Sequence, residues 1–265
     1  MGVSILLDLV FGAVAGLASG LFGIGGGAII VPFLAWSLPR QGVAEEVVMI
    51  MAVATSLATI VVTSLSSVRA HQRRGCLDWS RVARLTPGLV CGTVLGSIIA
   101  DHLPTPRFKQ LFALFLLVVA VRLFRSEREE QVGNWKDSRI LMAGGGFGIG
   151  VLSALFGIGG GSLTVPFLLR CGSSVREAVA VSAACGFPIA VVGTVSYVLL
   201  GWHGVDPLPP GSLGYVHGPA FLGIASASVV TAPMGAALAH RLPMRVLRKL
   251  FALVLFGLGI RMLWQ

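Results

Sequence analysis

Leu21-Phe22-Gly23-Ile24-Gly25-Gly26-Gly27, followed by Val31-Pro32-Phe33-Leu34, returns as Leu155-Phe156-Gly157-Ile158-Gly159-Gly160-Gly161, followed by Val165-Pro166-Phe167-Leu168, at an offset of 134 residues. Towards the end of each half, Leu103-Pro104, Leu111-Phe112-Ala113-Leu114 and Arg122 return as Leu242-Pro243, Leu250-Phe251-Ala252-Leu253 and Arg261, at an offset of 139. Two matches in the same order define a duplication. Residues 52–68 face 180–198 more loosely, and the polar stretch at the junction reads as a linker. The expected division is a first membrane repeat over 1–125, a cytoplasmic linker over 126–138 and a second membrane repeat over 139–265.

The chain around these motifs is apolar. Hydrophobic residues make up 55% and charged residues 12% of the 265 positions, and mean hydropathy is +0.88. A water-soluble domain of this length has no means of hiding so much apolar surface. Stretches of about 18 residues or more run with almost no charge, the length a helix needs to cross the hydrocarbon. No segment alternates apolar and polar residues for long, which argues against a transmembrane barrel. The formal charge of +9 resides in short loops between apolar stretches, so it points to membrane orientation and not to nucleic acid. The first 30 residues hold no Lys or Arg, and a near copy of them recurs mid-chain, so they read as part of the fold and not as a signal peptide.

Each half carries four apolar segments, in the first half about 4–38, 47–68, 82–103 and 108–124. A straight helix of about 35 residues would reach roughly 52 Å against about 30 Å of hydrocarbon. The glycine cluster near the middle of the first segment therefore predicts two half-helices joined at membrane depth. Loop charge decides whether they cross or turn back. If all eight segments cross, Lys and Arg divide eleven to nine; if each first segment is a re-entrant hairpin, one side holds only Arg40, Arg107, Lys109 and Arg261 and the other holds sixteen. The second arrangement is expected: an all-α polytopic fold of two inverted repeats, each with a Gly-broken re-entrant segment and three transmembrane helices.

Irregular backbone inside a membrane is tolerated only where protein or a water-filled cavity satisfies it, so two matching breaks point to one central site. Gly23, Gly25, Gly26 and Gly27, with Gly157, Gly159, Gly160 and Gly161, let backbone N–H groups approach a ligand. The half-helices that begin there, at 28–38 and from Ser162 to 170, would aim positive dipole ends at it, which favours an anion. Pro32 and Pro166 are expected within about the first turn of those half-helices, fixing the break. Thr55, Ser56 and Ser182 are candidate hydroxyl donors. The competing reading of the glycines is close helix packing, which suits 12–16, 92–96 and 144–150 well. A phosphate-binding loop fails, because no Lys-Ser/Thr follows and no βαβ pattern surrounds the motif. Asp8, Asp101, His102, Arg122, His240 and Arg261 lie near segment ends, where interface anchoring is expected. His217 and Asp206 fall in an almost uncharged outer loop.

The paired L-F-G-I-G-G-G…V-P-F-L motifs, with A-V-A-T-S at 52–56 and the L-F-A-L stretches, resemble the TauE/SafE sulfite exporter family within the wider TSUP transporters. The resemblance covers essentially the whole chain. It implies a secondary carrier of small sulfur-containing anions in the bacterial inner membrane, exporting sulfite or an organosulfonate such as sulfoacetate. The alternatives are a passive anion channel and a carrier for thiosulfate or sulfate uptake. The thiosulfate branch is associated with membrane-embedded cysteines; Cys91 and Cys185 lie in apolar segments but not at matching repeat positions, which favours sulfite or a sulfonate and leaves their part open. The implied partners are the anion and the lipid bilayer. No catalytic residue, metal, cofactor or nucleic acid is expected, and the oligomeric state is left open.

Overall fold

The computed structural model describes residues 9–18, 26–73, 77–125, 138–202, 208–239 and 244–264, and nearly every apolar stretch among them is helical. The first half contains α1 (Leu9–Ala18), α2 (Gly27–Ser37), α3 (Val48–Arg73), α4 (Trp79–Asp101) and α5 (Thr105–Arg125). The second contains α6 (Arg139–Phe156), α7 (Gly161–Arg170), α8 (Val175–Trp202), α9 (Gly218–Ala239) and α10 (Met244–Leu263). A small antiparallel hairpin, β1 (Ser212–Leu213) and β2 (Val216–His217), precedes α9. The linker expected at 126–138 lies, except for Ser138, outside the described residues. The chain is an all-α polytopic membrane protein, in which α3, α4, α6 and α8 are each long and apolar enough to cross a membrane. Leu114 and Val118 on α5, Leu222 and Val230 on α9, and Leu253 and Val254 on α10 stand exposed, a density of outward apolar side chains that suits lipid.

Local sequence sets where helices start. The Asp78 carboxylate accepts the N–H of Ser80 at 2.9 Å and of Arg81 at 3.3 Å, capping α4. Ser138 accepts the N–H of Leu141 at 3.1 Å at the start of α6. Ser174-Val175-Arg176-Glu177 has capping-box spacing, and the Ser174 hydroxyl accepts the Glu177 N–H at 3.3 Å. Arg81 donates to Ser173 and, at 2.8 Å, to Glu177, so the starts of α4 and α8 lie side by side. The ion pair is part-exposed, so its use is registration more than stability.

Glycine seams bring helices to backbone contact. A Cβ added at Gly88, Gly92 or Gly96 of α4 would sit 2.0, 2.1 or 2.4 Å from the carbonyl oxygens of Ala143, Phe147 and Val151 on α6. Both sets of numbers rise together, so α4 and α6 run parallel. Gly12 and Gly16 meet Ile224 and Ser228 of α9 in the same way, and Ser228 Oγ donates to the Gly12 carbonyl at 2.8 Å. With no hydrophobic effect between helices in lipid, such close approach and interhelical hydrogen bonding hold the bundle. Gly144 and Gly148 depart from the packing expectation at 144–150: a Cβ on either would meet nothing within 4 Å.

The centre belongs to α3, whose span is 83% buried against 44% for α4 and α6. It packs on α8, with Leu57 against Gly193, and α8 in turn sends the Tyr197 hydroxyl to the Ala154 carbonyl of α6 at 3.0 Å. Further pairings are α2 with α3, α7 with α8, α3 with α9, α4 with α8 and α5 with α10.

Candidate functional site

Helix α6 ends at Phe156 and α7 begins at Gly161. Gly157 adopts φ 62°, its N–H bonds back to Ala154 and that of Ile158 to Ser153, the arrangement by which a left-handed residue closes a helix. Gly160 then caps α7 at φ 76°, and Gly26 caps α2 at φ 72°. A side chain in this left-handed region costs roughly 1–2 kcal/mol, which explains glycine at both caps. Neither helix has a side-chain cap, and the first N–H groups to bond back to the cap carbonyls are those of Ile29 and Leu163. The N–H groups of Gly27 and Ala28, and of Gly161 and Ser162, stand ahead of that first bond, at the positive end of each dipole.

The tertiary structure brings the two glycine segments together. A Cβ on Gly27 would fall 2.1 Å from the Gly157 carbonyl oxygen, and one on Gly186 of α8 would fall 2.8 Å from that of Gly159. Gly26, Gly27, Gly157, Gly159, Gly160 and Gly161 are all buried. Gly23 and Gly25 lie outside the described residues. Pro32 and Pro166 are each the sixth residue of their helix, beyond the first turn where sequence placed them. There each proline removes the hydrogen bond that the carbonyl of Ala28 or Ser162 would accept, leaving a soft point one turn behind the cap.

Hydroxyl groups gather at the second of these segments. Ser153, Ser162, Thr164 and Ser182 have buried oxygens with no hydrogen-bond partner among the described residues. Ser153 and Thr164 are fully buried and Ser182 is 1% exposed. A Cβ on Gly160 would lie 3.2 Å from Thr164 Oγ1 and 3.6 Å from Ser153 Oγ, so both hydroxyls converge on the cap of α7. Ser182 sits one turn before Gly186, which packs on Gly159. An unpartnered buried hydroxyl costs about 1–3 kcal/mol, and each of these can donate a hydrogen bond to water or to a ligand that accepts one. At the 134-residue offset the first half carries Ala28 and Ile30 in place of Ser162 and Thr164, whereas Ser153 is matched by Ser19, which lies outside the described residues.

Thr55 and Ser56 are fully buried on α3. Ser56 donates its proton to the Gly157 carbonyl at 2.8 Å, holding the second segment against α3. Thr55 Oγ1 accepts the backbone N–H of His217 at 2.9 Å, which seats the hairpin on α3. His217 is thus buried; its Nδ1 accepts the Ala220 N–H at 3.3 Å, and burial in the hairpin lowers its pKa. Cys185 is buried beside Gly186, whereas Cys91 is exposed on α4. Asp8, Asp206 and His240 lie outside the described residues. Thr164 escaped the sequence reading because an isolated hydroxyl in an apolar helix has no pattern of its own; Ser153 had a signal, since it recurs as Ser19 at the 134-residue offset.

A bundle of apolar helices with uncapped helix starts, and buried hydroxyls that lack a partner among the described residues, is the architecture expected of a multi-pass membrane transporter acting on a small substrate within the bilayer. The model of the family described as sulfite exporter TauE/SafE matches residues 9–262, and the chain belongs to that family. It is 37% identical over 258 residues to a probable membrane transporter protein of Haemophilus influenzae, covering 97% of both chains. It is 28% identical over 260 residues to one of Methanocaldococcus jannaschii, covering 97% of this chain and 94% of the other. A third, from Bacillus subtilis, is 28% identical over 233 residues, with 79% and 85% covered.

Proposed function

We propose that the protein is a secondary transporter of small sulfur-containing anions, sulfite or an organosulfonate, exporting them across a bacterial inner membrane. The observation that carries the anion is the cluster of Ser153, Thr164 and Ser182 hydroxyls, without partners among the described residues, beside the uncapped start of α7. Hydroxyls and backbone N–H groups donate hydrogen bonds to an oxyanion, each such bond to a charged group contributing about 1.5–3 kcal/mol. They do so without a full positive charge, which keeps binding weak enough for release. The anion sits towards the second glycine segment, with Gly27 and its neighbours closing the other side.

The same proposal includes two inverted repeats, 1–125 and 139–265, joined by a cytoplasmic linker. Ala143 of α6 and Ser173 after α7 both lie beside the N-terminal part of α4, which supports a segment that enters and returns on one side. Phe11 stacks on Phe33 at 3.9 Å in the first half, where Gly145 abuts Phe167 in the second, as expected of matching hairpins. Arg81 meets Glu177 and Thr93 lies near Gly193, so α4 and α8 run parallel. A hairpin and three crossings per half account for this direction, and rocking of the halves about the glycine segments would give alternating access.

Two measurements test this. In liposomes, sulfite or sulfonate flux is expected to saturate and to be accelerated by substrate on the far side; saturation without acceleration would indicate a passive channel, and no flux would reject the substrate class. In a background lacking Cys76, Cys91, Cys171 and Cys185, single cysteines at Gln72 and Ser174 are expected to react from the cytoplasmic face and one at Gln41 from the opposite face. Labelling of Ser174→Cys from outside would overturn the hairpin.

A further inference from the structure

The two halves differ on the lipid-facing side of their first segments. Around α6 and α7 runs a groove of about 260 Å³, floored by Gly144, Gly148 and Leu152 and walled by Leu163 and Phe167. Arg122, at the end of α5, and Arg170, at the end of α7, stand at its mouth. The corresponding positions of the first half are filled from within: Val10, Phe11 and Val14 replace the three glycines at 144, 145 and 148, and Phe11 lies stacked on Phe33. The arginine mouth has changed too. Arg261, counterpart of Arg122, lies 5.8 Å from the ring of Trp36, which stands where the second half has Arg170.

We infer that the groove between α6 and α7 binds one anionic phospholipid, its phosphate between Arg122 and Arg170 and an acyl chain along Gly144 and Gly148. From Gly144 to Leu152 the floor extends about 12 Å at the helical rise, room for part of one chain. Removing side chains at 144 and 148 opens apolar space without bringing any other part of the protein into it, since nothing lies within 4 Å of a Cβ at either position. Both arginines are exposed, at the end of the bundle where Arg81 and the starts of α4 and α8 lie, the depth at which phosphates of one leaflet sit. Two guanidinium groups at the polar end of an apolar slot match a phosphate ester carrying a chain, and α7 is the helix whose start holds the proposed anion. The lipid would therefore brace the element that transport has to move.

Native mass spectrometry of the full chain in detergent, titrated with phosphatidylglycerol or phosphatidylcholine of the same chains, tests the site. One phosphatidylglycerol is expected to be retained about tenfold more strongly than phosphatidylcholine. Arg122→Gln with Arg170→Gln should bring that ratio to near one, and Gly144→Val with Gly148→Val should weaken retention about tenfold while leaving the ratio above one. Glycerol phosphate should not compete. Equal retention of the two lipids, no effect of the arginine pair, or competition by glycerol phosphate would each overturn the inference, as would a second copy of the chain that dissociates in the valine pair. The exposed arginine pair decides the matter by itself if the valine pair is not recovered folded.

Discussion

Gly27→Ala is expected to abolish transport while Gly257→Ala leaves it at the original rate. The methyl group added at Gly27 would be 2.1 Å from the Gly157 carbonyl oxygen and 3.1 Å from Ile158 Cα, all backbone atoms with no side chain to swing aside. Overpacking of a well-filled interior typically costs about 1–3 kcal/mol, and here relief requires the two glycine segments to separate. Separation also breaks the seat that Ser56 provides for Gly157. Gly257 meets nothing within 4 Å, so the same methyl there only improves helix propensity. Flux per amount of folded protein, with thermal melting of both variants in detergent, checks the pair. Normal flux in Gly27→Ala would reject the apposition of the two segments as the core of the site.

Ser153→Ala, Thr164→Val and Ser182→Ala combined should lower apparent substrate affinity about a hundredfold or more without destabilising the empty protein. Three hydroxyls that each give a charged ligand about 1.5–3 kcal/mol account for that loss even at the lower figure if the ligand recovers about a third elsewhere. None of the three has a partner among the described residues, so removing them strands no donor or acceptor there and eliminates buried polar atoms. Ser56→Ala should behave in the opposite way, losing about 1 kcal/mol of stability because the Gly157 carbonyl loses its donor. Melting temperature and the concentration dependence of flux separate the two patterns. An unchanged affinity in the triple variant would remove the hydroxyl cluster from the substrate path.

Helices were legible where the sequence speaks in length and apolarity. The stretches 47–68, 82–103 and 108–124 correspond to Val48–Arg73, Trp79–Asp101 and Thr105–Arg125, and the residual shifts come from polar ends that continue a helix beyond the hydrocarbon, as at 69–73, or cap it, as at Asp78. The packing role of Gly12, Gly16, Gly92 and Gly96 was also legible, because small residues four apart put one flat face on a helix. The same spacing misread Gly144 and Gly148, since it does not say whether a neighbour occupies that face.

The division follows from the range of the interactions. Hydrophobic run length, the repeated glycine motif and loop charge are local properties, so the chain alone determined a helical, multi-pass, duplicated membrane protein. Which hydroxyls are satisfied depends on atoms far apart in sequence. Ser56 and Gly157 are 101 residues apart, and Thr55 and His217 are 162. Only tertiary packing could commit Ser56 to a carbonyl, bury His217 on Thr55 and leave Ser153, Thr164 and Ser182 without partners among the described residues. A serine in an apolar helix looks the same from sequence whether its proton is already bonded or still free for a ligand.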